Sequence, residues 1–140
     1  MLHRLVLVAV ASLTLCAGCA NDPTRGKNKM LTDTLRSYGA TLRWNGIEGG
    51  EVFLDPKYRE EHPLTSVDIG RYKQVRLADY SEQSPIPVND NEVQQTVEIS
   101  LINRNTQVVR SLVDRQTWRY DEAAKHWWLT SGLPDITQHQ

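Results

Sequence analysis

The chain has 140 residues, a length typical of one domain, of which 39% are hydrophobic and 24% charged, as in ordinary globular proteins. Its formal net charge is −1 and no run of Lys or Arg occurs, which argues against a nucleic-acid partner because such proteins need a basic surface. The four histidines lack metal-ligand spacing and no Gly-rich phosphate loop is present. We therefore expect neither a metal nor a cofactor.

The first eighteen residues have the order of a secretion signal. Arg4 supplies a positive charge, the apolar run Leu5–Leu15 follows it, and small residues come next. A helix that spans a membrane needs about 20 apolar residues. The run is too short for that and is typical of the apolar part of a signal peptide, which predicts a removable leader over residues 1–18.

Both cysteines, Cys16 and Cys19, lie at the end of this leader. The small residues Ala17-Gly18 before Cys19 resemble the lipobox of bacterial lipoproteins, although Cys16 stands where that family has Leu. The resemblance implies cleavage before Cys19 and acylation of its sulfur and amine. Cleavage would remove Cys16, and a redox or metal-binding C-x-x-C pair needs both thiols in the folded protein.

Two or three acyl chains would hold Cys19 stably at a bilayer. The membrane is thus the first expected partner, reached through the lipid on Cys19. By the same resemblance to Gram-negative lipoproteins, Ala20 directly after the cysteine implies an outer-membrane location facing the periplasm.

The segment Asn21–Lys29 is polar, contains Pro and Gly, and has no periodicity. It predicts that residues 19–29 comprise the acylated cysteine and a tether. A folded domain then covers residues 30–134, followed by a polar tail over 135–140. The domain opens with a helix over 33–44, because four apolar residues repeat with a helical period: Leu31, Leu35, Tyr38 and Leu42.

Two shorter helices are predicted next, over Glu48–Leu54 and over Lys57–Glu61, the second one started by an Asp55 cap and Pro56. After Pro63 apolar and polar residues alternate with a period of two, which indicates strands. The predicted strands are Thr65–Ile69, Tyr72–Tyr80, Val93–Leu101, Val108–Tyr120 and His126–Thr130. The chain is broken at Ser84–Pro87 and Asn89–Asn91, whereas Asn103–Thr106 is a hairpin turn between two strands and Asp121–Lys125 is a second turn.

Helices followed by long antiparallel strands predict an α+β fold, in which N-terminal helices pack in a strongly curved antiparallel sheet of about four strands. This order resembles the nuclear transport factor 2-like superfamily, also called the cystatin-like α+β roll. The segments that carry the resemblance are the helix over 33–44, the stretch Asn45–Pro56 and the last three strands, including Arg119–Leu129 and Ser131–Pro134.

The resemblance implies a cone-shaped pocket between the sheet and the helices. That pocket is catalytic in ketosteroid isomerase, scytalone dehydratase and polyketide cyclase relatives, whereas other members use the fold only to bind partners or to dimerise. Fold alone does not choose between these functions.

Four ionisable residues are candidates for such a pocket or its rim: Tyr38, Asp68, Asp114 and His126. A tyrosine and a carboxyl group that face one cavity could polarise a carbonyl and move a proton. The simpler interpretation is structural: Tyr38 packs its ring and hydrogen-bonds its hydroxyl, Asp114 is solvated, and the other two lie at the surface. No residue matches a catalytic motif of the superfamily, so no catalytic residue is predicted.

We therefore expect a non-enzymatic lipoprotein that binds another envelope protein, or a second copy of itself, through the sheet. One alternative is a carrier of a small apolar molecule, or a lyase or isomerase, that uses the cone. Another is a subunit of a secretion apparatus. The tryptophans Trp118, Trp127 and Trp128 fall on adjacent predicted strands, where cross-strand aromatic packing accounts for them.

Overall fold

The computed structural model describes residues 22–138. The predicted leader, Cys19 and the last two residues lie outside this range. The elements are α1 (Pro23–Asn45), a 3₁₀ helix (Ile47–Phe53), α2 (Pro56–Glu61), α3 (Ser66–Tyr72), β1 (Val75–Glu82), β2 (Ile86–Asn89), β3 (Glu92–Asn103), β4 (Val109–Asp121) and β5 (His126–Leu129). Within residues 22–138, no helix has the length and apolar character needed to cross a membrane.

The strands form one antiparallel sheet in the order β1-β3-β4-β5, and the short β2 pairs with β3 beyond the end of β1. Strands β3 and β4 run side by side from the Glu92–Arg119 pair to the Ile102–Val109 pair. The register of β1 shifts between Leu77 and Asp79, and such a bulge increases the bend of a strand. The protein is α+β with its helices packed against a strongly curved sheet, which confirms the predicted fold class.

The long helix α1 places its apolar stripe in the concave side of the sheet. Its buried residues are the four of the predicted repeat: Leu31, Leu35, Tyr38 and Leu42. Each long strand buries alternate residues, as a half-buried strand must. The sheet's contribution to this core includes Val97, Ile99 and Leu101 from β3, Leu112 and Trp118 from β4, and Trp127 and Leu129 from β5.

The predicted tether is wrong for residues 23–29, which form the first turns of α1. Asp22 accepts a hydrogen bond from the Thr24 amide at 3.0 Å, and Pro23 occupies the first helical turn, so a cap and a proline start the helix here. Lys27 holds these turns against the sheet, since its ammonium lies 4.5 Å from the Tyr120 ring centroid and its carbonyl accepts from Trp127 Nε1. The aliphatic stem of a lysine can pack against aromatic rings. These turns are therefore held against the sheet although they lack the apolar residues at helical spacing that predict a buried helix face.

The strand predicted over Thr65–Ile69 is also wrong, because Ser66–Tyr72 is helix α3. Thr65 and Asp68 form a reciprocal capping box, in which the Asp68 amide donates to Thr65 and the Asp68 carboxylate accepts from the Thr65 amide. The predicted break over Ser84–Pro87 contains the start of β2. Beyond the predicted domain end, Ile136 is buried and its carbonyl accepts a hydrogen bond from Arg110.

Packing of the 3₁₀ helix on α1 gives the first testable prediction. A Cβ at Gly50 would lie 2.8 Å from Leu42, 2.9 Å from Leu133 and 3.0 Å from Tyr38. Gly50→Ala is therefore expected to lower the free energy of unfolding by about 1–3 kcal/mol through overpacking. The matched control is Gly26→Ala on α1, where nothing lies within 4 Å.

Urea denaturation of both variants measures the effect. Gly26→Ala should raise the free energy of unfolding by about 0.5–1 kcal/mol, because alanine favours helix over glycine. If the two variants change stability by the same amount, close packing at Gly50 is disproved.

Candidate functional site

A row of polar side chains lies inside the roll, on the concave face of β4. This face presents Asp114 and Gln116 between the apolar Leu112 and Trp118, and all four residues are buried. Across the sheet, Asp114 pairs with Val97 and Gln116 pairs with Gln95 on β3. Two adjacent polar positions on an otherwise apolar face make this the candidate site.

Gln116 connects the members of the row by hydrogen bonds. Its Nε2 donates to Asp114 Oδ2 at 2.8 Å and to the Tyr80 hydroxyl at 3.0 Å, while its Oε1 accepts from Trp118 Nε1 at 3.1 Å. Both amide hydrogens and the amide oxygen are thus used, which fixes the orientation of the amide. Residues from β1 and β4 are held together in this way around one side chain.

Tyr38 approaches the row from α1. Its side chain is fully buried, and its ring meets Phe53 and Trp118 edge to face with centroids 5.4 and 5.2 Å apart. The ring packing is as predicted, but the predicted hydrogen bond is wrong: the buried hydroxyl has no partner among residues 22–138. Burial, and then the nearby charge of Asp114, raise the pKa of Tyr38 well above its ordinary value.

The prediction that Asp114 is solvated is wrong. It is 8% exposed, and its neighbour Arg115 takes the outward position on the strand instead. Burial raises the pKa of Asp114 to about 6, and the hydrogen bond from Gln116 offsets part of that shift. A carboxyl group with this pKa changes between its protonated and ionised forms around pH 6.

The two other candidates lie elsewhere. Asp68 is half-buried and serves as the third residue of α3, where its carboxylate accepts from the Thr65 amide and hydroxyl. His126 begins β5 and lies outside the concave face, where the centroid of its ring is 4.1 Å from the ring centroid of Trp128. The structure therefore brings together Tyr38 and Asp114 and leaves Asp68 and His126 apart.

Sequence reasoning missed Gln116 and Tyr80. A signal for Gln116 was present, since Leu112, Asp114, Gln116 and Trp118 alternate with period two and so share one face of a strand. No such signal existed for Tyr80, because the bulge in β1 changes which residues face inward.

The space around this row is filled rather than open. Tyr38, Trp118, Leu42 and Leu112 are at most 1% exposed. The grooves at the two ends of α1 and the groove between α1 and β1 are lined by neither Tyr38 nor Asp114, although Tyr80 lines the last of them. A substrate could reach the carboxyl group only if these packed side chains moved apart.

Two grooves open at opposite ends of α1. The Lys27 groove, about 730 Å³, lies at the start of α1, with Met30, Val93, Tyr120 and Trp127 among its lining residues. The Trp44 groove, about 360 Å³, lies at the end of α1, and its polar lining includes Arg43, Lys73, Arg76, Arg104 and Glu48. These grooves, unlike the interior row, are accessible without rearrangement.

Comparison of the chain with protein-family models, curated proteins and solved structures gave no match. Among residues 22–138, no three His, Cys, Asp or Glu side chains are grouped as a metal site would require.

The interior carboxyl gives a pH prediction. Because the pKa of Asp114 is raised to about 6 in the folded protein, the folded state binds a proton that the unfolded state has released. This stabilises the protein at low pH, and the stabilisation is lost as pH rises through 6. Relative to Asp114→Asn, wild type should lose about 1–2 kcal/mol of unfolding free energy between pH 5 and pH 8.

Chemical denaturation of both proteins at several pH values measures this difference. Other titrating groups are common to both proteins and cancel. If the free energies of unfolding of wild type and Asp114→Asn changed with pH in the same way, Asp114 would be shown to titrate as an exposed carboxyl.

Proposed function

We propose that this protein is a lipid-anchored periplasmic protein of the bacterial envelope, held at the outer membrane through Cys19, whose roll binds another envelope protein without catalysing a reaction. The observation that carries the proposal is the filled interior. The Asp114 carboxyl and the Tyr38 hydroxyl are the best-placed pair for chemistry, and both lie beneath packed side chains. The accessible features are on the outside of the roll.

The start of α1 would lie close to the membrane in such a protein. Only Ala20, Asn21 and Asp22 separate Cys19 from Pro23, so α1 begins within about 14 Å of the acylated residue. The 23 residues of α1 then extend about 34 Å. On this proposal the Lys27 groove lies next to the bilayer and the Trp44 groove lies at the far end.

The distribution of exposed apolar side chains supports a partner. Isolated exposed apolar residues are ordinary, but several of these occur in groups. Ile86 and Val88 are 69% and 51% exposed on β2, and Val108 and Val109 are both 60% exposed beside the β3–β4 turn. Trp44, at the end of α1, is 80% exposed.

The outer face of the central strands gives less support to self-association through the sheet. Cross-strand neighbours there include Thr96 with Arg115 and Gln94 with Thr117. Stable homodimer interfaces are usually more apolar than this. A different protein is therefore the favoured partner over a second copy.

The alternative is a carrier or a lyase or isomerase that uses the cone. This alternative is favoured by the buried Asp114 with its raised pKa and by the Tyr38 hydroxyl, which has no partner within the part of the chain that the structure describes. The filled interior opposes it. Native mass spectrometry of the chain released from the envelope in detergent separates the two. A discrete co-purifying small molecule, absent from the Tyr38→Phe/Asp114→Asn variant, would support the alternative.

The anchor is tested by mass spectrometry of the N-terminal peptide. We expect the mature chain to begin at Cys19 and to carry acyl chains, and Cys19→Ser to abolish both cleavage and acylation. Cys16→Leu is the matched control, because it removes the other thiol, places at position 16 the residue that the lipobox has there, and should still be acylated at Cys19. Acylation that persists in Cys19→Ser would contradict this anchor.

Binding is tested by photo-crosslinking in intact cells. A benzoylphenylalanine at Trp44, Ile86, Val109 or Val113 samples different exposed or half-buried positions, and at least one should capture a specific envelope protein. A chain that is monomeric and captures nothing from any of these positions would overturn the proposed function.

A further inference from the structure

The Trp44 groove gathers positive charge on a protein whose net charge is −1. Four cationic side chains line it: Arg43 from α1, Lys73 after α3, Arg76 from β1 and Arg104 from the β3–β4 turn. None of them forms an ion pair with a carboxylate within the described residues 22–138, where the ion pairs involve other lysines and arginines. Three parts of the chain that are distant in sequence thus bring to one concavity cationic side chains that have no ion-pair partner among residues 22–138.

The carboxylate of Glu48 lines the same groove and offsets only part of this charge, since one anion stands against four cations. Glu48 lies over Gly46, with Oε2 2.7 Å from the point where a Cβ on Gly46 would be. That oxygen is buried and has no hydrogen-bond partner within the described chain. The groove therefore keeps an excess of positive charge at its opening.

A large apolar side chain stands beside these cations. Trp44 is 80% exposed at the last turn of α1 and lines both this groove and a neighbouring one between α1 and β1. Tryptophan and arginine are the residues most enriched among those that dominate binding energy at protein interfaces. Guanidinium groups pair with carboxylates through two parallel hydrogen bonds.

We propose that the Trp44 groove docks an acidic segment of a partner protein, with carboxylates on Arg43, Arg76 and Arg104 and an apolar side chain against the Trp44 indole. This inference rests on the proposed function and names the surface and the chemistry of its partner. Arg104 is already oriented, because its Nε donates to the Val75 carbonyl at 3.2 Å.

The confinement of the charge favours a protein segment over an anionic polymer. A protein that follows a polyanion needs a basic track along its surface. Elsewhere several cationic side chains are paired with carboxylates, as where Arg119 pairs with Asp55 and Lys29 with Asp33. A groove of about 360 Å³ with cations on its rim suits a few side chains.

The first experiment uses the full acylated chain in a nonionic detergent and a fluorescein-labelled peptide of five Glu, one Leu and one Phe. Fluorescence anisotropy should show binding that weakens with salt. Arg43→Glu/Arg76→Glu should weaken it about tenfold or more, because both substitutions place a carboxylate against the acidic segment. The matched control is Arg59→Glu/Arg115→Glu, two exposed arginines outside the groove, which should bind as wild type does.

Trp44→Ala is a second variant that leaves every charge in place and should also weaken binding of the peptide. Equal loss in the groove and control variants would show that net charge rather than the groove is responsible, and would overturn the inference. Equal binding of the peptide with Gln in place of Glu would do the same. Tighter binding of an anionic polysaccharide would assign the groove to a polymer instead.

Crosslinking in cells separates this inference from the proposed function. A benzoylphenylalanine at position 44 should capture a protein through a peptide rich in Asp and Glu, and Arg43→Glu/Arg76→Glu should abolish that product. If position 86 or 113 captures an envelope protein and position 44 does not, the proposed function stands and the docking site is overturned. If no position captures a protein, the proposed function itself falls.

Discussion

The roll depends on the burial of one face of α1 in the concave side of the sheet. Tyr38 is at the centre of this contact, with the edges of Phe53 and Trp118 against its ring and no exposed surface of its own. Gly50 lets the 3₁₀ helix approach the same helix face closely enough to contact Leu42 and Tyr38. If the sheet flattened, the apolar stripe of α1 would be exposed to solvent. The curvature of the sheet and the position of α1 therefore depend on each other.

This constraint also explains why a polar row is tolerated inside. Once Trp118 and Tyr38 have filled the cone, the residues before Trp118 on the inward face must be buried as well. Gln116 uses its full set of amide hydrogen bonds on its neighbours, whereas the Tyr38 hydroxyl has no partner among residues 22–138. An unpaired buried hydroxyl costs about 1–3 kcal/mol, and the surrounding aromatic packing offsets it.

The same helix separates the two ends of the molecule. At its start, Lys27 lies between the aromatic rings of β4 and β5 and its charge is satisfied by Asn91 and Glu122. At its end, Arg43 stands among other cations and next to the exposed Trp44. One end is thus internally paired, and the other presents charge and apolar surface outward.

The sequence by itself determined the fold class, the α1 stripe and the pairing of β3 with β4, because period and turn residues are local properties. It also placed α2 from its Asp55 cap and Pro56. Only the tertiary structure decided that Lys27 packs the first turns of α1 against the sheet, that Asp114 is buried while Arg115 is not, and that three arginines from distant segments meet in one groove. Those outcomes depend on which faces the curved sheet covers and on which distant segments it brings together. Neither can be predicted from the residues that flank a position in the sequence.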